Sequence, residues 1–144
     1  ARRQATSDAA EAIGRIDELI EALDEVGGDY RKLDENSRGD VAKLLRLAGD
    51  YSDPRSTLKL FRGAIVAVRD KLASGRVEYR FEGNCPGDAI ACTDGSTYID
   101  FTERFFEGDS VDQANTLFHE FAHLTGLYDP FVEDLTDIVY ELID

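Results

Sequence analysis

The sequence has no methionine and no tryptophan, and its 144 residues include only two histidines, two cysteines and three prolines. Basic side chains are scarce too: 16 Lys and Arg stand against 30 Asp and Glu, a formal charge of -14. That deficit argues against a nucleic-acid-binding protein or one that docks on an anionic membrane, because both need a basic face. No apolar run approaches the roughly 18 residues that cross a bilayer, and no signal-peptide core is present. Without methionine, no site can rest on a methionine-containing turn. The chain opens Ala1-Arg2-Arg3, and a processed form or an excised domain is expected.

Hydrophobic residues make up 42%, enough for a core, so wholesale disorder is excluded. The length is that of one ordinary domain, expected to span residues 1–144 as a monomer. The first 75 residues carry helical periodicity. Ser7 is placed to cap a helix with Ile13, Ile16, Leu19, Ile20, Leu23 and Val26 on one face, stopped by Gly27-Gly28. Val41, Leu44, Leu45 and Ala48 mark a second helix, ended by Gly49. Asp53-Pro54 opens a third, with the stripe Leu58, Phe61, Ile65, Val68 and Leu72 closing at Gly75.

The period then changes to two. Val77–Phe81, Ala89–Ala91 and Thr97–Phe101, the last after the Asp94-Gly95 turn, predict a small antiparallel sheet. Helices return after it, so the fold class is α+β. Cys85 and Cys92 flank turn-forming residues and can meet across a hairpin as a disulfide, which points to an exported, secreted protein; the alternative is two unrelated thiols. Residues 105–144 hold ten acidic side chains and no Lys or Arg, a region that attracts cations unless its acids simply face solvent.

Ser110-Val-Asp-Gln113 reads as a capping box, so a helix should start near residue 111. On it lies Leu117-Phe118-His119-Glu120-Phe121-Ala122-His123. Histidines four apart stack on one helical face, where both rings reach a single Zn²⁺ at about 2.0–2.1 Å. Glu120 stands beside the first ligand, placed to act as general base on a water. A catalytic zinc takes three protein ligands, so a third is needed. Asp129 completes His-Glu-x-x-His-x-x-Gly-x-x-Asp, a spacing like that of metzincins. It also precedes Pro130, as Asp53 precedes Pro54, which reads as a helix cap. Asp137 is the preferred candidate: on a helix over 131–143 with the stripe Leu135, Ile138, Val139 and Leu142, it and Tyr140 share another face. Tyr140 is then placed to donate a hydrogen bond to a developing oxyanion.

The run Tyr98-Ile-Asp-Phe-Thr-Glu-Arg-Phe105-Phe106, then Gln113-Ala-Asn-Thr-Leu117 leading into His119-Glu120-x-x-His123, then Asp137-Ile-Val-Tyr140, resembles the aspzincins, the deuterolysin and peptidyl-Lys metalloendopeptidase family. The resemblance implies a zincin-like fold and a zinc endopeptidase acting on peptides or proteins. It implies His119, His123 and Asp137 as ligands, Glu120 as base and Tyr140 as oxyanion donor. A preference for Lys or Arg on the primed side is implied as well. The strand at 97–101 is expected to pair with an extended substrate. Two other readings remain open: a toxin- or cell-wall-directed zinc hydrolase cut from a larger secreted protein, and a zinc-binding module without catalysis.

Overall fold

A computed structural model describes residues 1–49 and 53–144. Among the described residues, six α-helices and three short strands follow one another: α1 (Arg2–Glu25), α2 (Glu35–Ala48), α3 (Pro54–Ser74), β1 (Glu78–Arg80), β2 (Ala91–Thr93), β3 (Tyr98–Phe101), α4 (Glu103–Glu107), α5 (Ser110–Leu124) and α6 (Phe131–Leu142). The protein is mostly helical with a small sheet, an α+β architecture at the coarse level. No helix among the described residues is long and apolar enough to cross a membrane.

Helical periodicity places the core correctly. Ile13, Ile16, Leu19 and Leu23 of α1 are buried against Leu58, Phe61, Ile65, Val68 and Leu72 of α3. At the end of α1, Gly27 and Gly28 take positive φ, and the Gly28 N–H closes on the Leu23 carbonyl at 2.8 Å, a stop only glycine takes without strain. Asp53 caps α3 through the Arg55 N–H, with Pro54 at the first helical position. The Ser7 cap is corrected: α1 begins at Arg2, and Ser7 lies exposed inside it. The early start is held by Arg2, whose guanidinium donates to the carbonyls of Leu72 at 2.7 Å and Gly75 at 2.5 Å at the end of α3. Those carbonyls are orphaned by the helix terminus, and a cation is a favourable partner for them.

The sheet is mixed, not antiparallel. Strand order is β1-β3-β2, with β1 parallel to β3 and β2 antiparallel to it. The chain crosses from β1 to the far side of β3 through the 81–90 loop, which turns the expected meander into a parallel pair. Two devices fasten that loop. Cys85 and Cys92 form a disulfide, and the buried Asp100 carboxylate accepts N–H bonds from Glu82, Gly83 and Asn84 at 2.9, 3.0 and 2.9 Å. Ile99 and Phe101 face the other side, where Ile99 is fully buried and Phe101 packs on Phe105 at 4.5 Å between centroids.

Candidate metal centre

Helix α5 is amphipathic in an unusual sense, apolar on the side facing the other helices and chemical on the side facing the sheet. Ala114, Leu117, Phe118, Phe121 and Ala122 are buried among α1, α3 and α6. His119 and His123 point towards β2 at the floor of a cleft of about 580 Å³. The helix starts one residue earlier than expected, because the capping box is formed by Asp109 and Asp112, each side chain accepting the other's backbone N–H.

Helical spacing brings the two imidazoles together, with Nε2 to Nε2 at 3.2 Å. The tautomer of His123 is set from behind. Its Nδ1 lies 3.0 Å from the Leu127 carbonyl, which can only accept, so the proton sits on Nδ1 and the Nε2 lone pair faces the cleft. Burial, then the cost of placing a positive charge beside the second imidazole, holds His119 below the usual histidine pKa, favouring its neutral form.

The chain returns to the histidines by way of Gly126. At φ 91° this residue reverses the backbone after α5: its N–H bonds the His123 carbonyl at 3.0 Å, and the Leu127 N–H bonds that of Ala122 at 3.4 Å. The reversal delivers the Leu127 carbonyl to one nitrogen of His123 and the Asp129 carboxylate to the other, with Oδ2 3.6 Å from Nε2. His119, His123 and Asp129 thus present one nitrogen, one nitrogen and one oxygen all within 4.8 Å of one another. Asp129 is not a helix cap: α6 starts at Phe131 with Pro130 before it and no side-chain cap.

Glu120 adjoins this group. Its Oε1 is 4.0 Å from His119 Nε2, and the residue is 6% exposed at the cleft floor. Burial, then the charge of Asp129, push its carboxyl pKa up to about 8. A carboxyl that titrates near neutrality can both take and give a proton.

Two expected site residues are placed elsewhere. Asp137 is exposed on α6; its charge acts on His119, but it supplies no atom to the three-residue cluster. Tyr140 turns into the protein. Its ring stands edge-on to Phe118 at 6.3 Å, and its hydroxyl is buried with no well-formed hydrogen bond among the described residues. Burial and the nearby Asp8 carboxylate of α1 drive the phenol far above its ordinary pKa. The tyrosine that borders the cleft is Tyr128, 80% exposed, which the sequence reading passed over. Its signal was its place between Gly126 and Asp129, inside the segment that turns back on the motif.

The strand expected to meet substrate also changes. β3 is central, with both edges occupied, and the strand lining the cleft is β2. Compared with protein-family models, with curated proteins and with solved structures, the chain finds no match.

Proposed function

We propose that the protein is a zinc-dependent endopeptidase of the His-Glu-x-x-His type, with His119, His123 and Asp129 as metal ligands and Glu120 as general base. The observation that carries the reading is the convergence of two ring nitrogens and a carboxylate oxygen beside a buried glutamate. In a tetrahedral zinc site with bonds of about 2.0–2.2 Å, neighbouring donor atoms stand roughly 3.3–3.6 Å apart. The separations of 3.2 Å between the histidines and 3.6 Å from His123 to Asp129 fit that spacing. The Leu127 carbonyl behind His123 supplies the outer hydrogen bond that metal-binding histidines use to fix their tautomer. Three protein ligands and an adjacent base favour a catalytic site, since a structural zinc is enclosed by four ligands and needs no base.

When bound, zinc acidifies water and polarises a carbonyl. The chain's own residues then divide the work. Glu120 takes a proton from the attacking water and hands it to the departing amine, from a buried position beside the three donors. β2 offers its outer edge to hold a substrate in extended form. The aspzincin resemblance supports zinc and peptide hydrolysis, and the zincin-like fold with it. The residues it assigns as third ligand and oxyanion donor, Asp137 and Tyr140, are not those that line the cleft. The disulfide favours an exported protein, because such bonds persist in oxidising compartments.

The test is zinc content and peptide cleavage for the parent chain and for Glu120→Gln, Asp129→Ala and Asp137→Ala. One zinc per chain is expected, retained by Glu120→Gln with turnover at least 100-fold lower. Asp129→Ala should lose zinc and activity together, and Asp137→Ala should keep both. A parent chain that takes up no stoichiometric zinc overturns the reading. Cleavage of cell-wall fragments in place of Lys-containing peptides would reassign the substrate.

A further inference from the structure

The cleft does not end at the histidines. Ala91, His119 and Glu120 also border a second space of about 260 Å³, completed by Ile90, Asn115 and Thr116. Those three in turn border a third space of about 410 Å³, bounded by Arg104, Glu107 and Asp112. Adjoining at these shared residues, the three spaces make a trough-like row along α5.

Its two sides differ in chemistry. On the sheet side, the Thr102 N–H donates to the Ile90 carbonyl at 3.1 Å. Antiparallel pairs alternate, so Cys92 and Asp100 are the next hydrogen-bonded pair, and the main-chain groups of Ala91 and Thr93 point away from β3. On the helix side, Asn115 and Thr116 lie one turn before His119 and Glu120 and are half-buried, bringing a carboxamide and a hydroxyl to the trough wall. The far end is polar, bordered by Arg104, which donates to the Asp88 carbonyl, and by the acidic residues Glu107 and Asp112.

We infer that this trough is an arm of the substrate channel, binding an extended polypeptide that leaves β2 at Ala91 and continues beside α5 for about three residues to one side of the scissile bond. The inference rests on the peptidase reading and names its substrate as an unfolded polypeptide segment. Asn115 holds the substrate main chain, and the Arg104–Glu107–Asp112 end receives a polar side chain. The length follows from geometry. α5 advances about 1.5 Å per residue, so Asn115 lies roughly 6 Å and Asp112 roughly 11 Å from the reacting end; extended chain covers these in about two and three residues.

The test pairs cleavage with binding. Two nested peptide series are made around one bond cut by the zinc-loaded protein, one shortened from each end. In one series only, kcat/KM should fall at least tenfold as the third residue from the bond is removed. Asn115→Trp, which fills the trough, should lower kcat/KM at least tenfold more for the longest peptide than for the shortest, chiefly through KM. Asn115→Ala, a deletion the half-buried site tolerates, should act in the same direction. Binding is read separately by fluorescence anisotropy, using Glu120→Gln protein and fluorescein-labelled, reduced and carboxymethylated lactalbumin. Adding Asn115→Trp should raise Kd at least tenfold. Equal losses for long and short peptides, or an unchanged Kd, overturn the trough. If the zinc-loaded parent cuts no peptide, the peptidase reading falls, and the anisotropy result decides the trough alone.

Discussion

Asp100 is a buried acid with no basic partner within hydrogen-bonding reach among the described residues, held instead by three backbone N–H groups from residues 82–84. Burial works to raise its pKa, but those donors, helped by the charge of Arg80, win and keep it below the usual carboxylate value. A depressed carboxylate stabilises the fold above its unfolded pKa, about 3.9, and that contribution is lost as pH falls through the native value. Asp100→Asn should therefore unfold at lower urea than the parent at pH 7, with the gap narrowing below about pH 4. A gap that stays constant from pH 7 to pH 2.5 would show that the charge is not what holds the loop. At this scale the sequence was readable where chemistry is local. The proximity of His119, Glu120 and His123 follows from helical spacing alone. Asp129 was visible in its distance from His123, yet its neighbour Pro130 suggested a helix cap. The deciding factor was Gly126, whose left-handed turn sends the chain back over the motif.

Among the elements, β2 depends on its surroundings more than any helix does. It is three residues long, and its free edge faces the cleft, so its position is set by β3 and by the Cys85–Cys92 bridge. Closing a loop of this length removes unfolded-state entropy worth about 2.5 kcal/mol. Reduction, or the double change Cys85→Ser and Cys92→Ser, should lower Tm by roughly 5–10 °C for a chain of this size, and should raise KM for peptide more than it lowers kcat. Differential scanning calorimetry with a parallel activity assay checks both. The helices were legible because stripes such as Leu58–Leu72 repeat at the helical period. The sheet was only half legible. Alternation marks a strand, but the direction of its neighbour depends on the path of the 81–90 loop, which no short-range pattern encodes. Tyr140 illustrates the same limit: its place on α6 follows from sequence, while its burial against Phe118 depends on a distant packing partner.

For the molecule as a whole, the proposed ion is also a stability ligand. Binding only the native state at about 1,000 times Kd adds roughly 4 kcal/mol, which for a chain of this size corresponds to a Tm rise of about 8–16 °C. Zinc should thus raise Tm in a concentration-dependent way, chelation should reverse the gain, and Asp129→Ala should show little of it. A Tm indifferent to zinc would exclude the three-donor site even if activity persisted through a contaminant. The acidic excess, -14 at neutral pH, makes the choice of salt matter in such measurements, because self-repulsion within the folded chain is screened as ionic strength rises.

The shortness of the cleft-side strand has a further effect. A sheet margin with unused main-chain groups ordinarily invites like molecules to zip together into fibrils, and β2 leaves such a margin open on the cleft side. Three residues, stapled at Cys92 and walled by α5 opposite, provide too little template for a second copy to propagate along. On the proposed reading, this margin suits an extended chain that enters end to end.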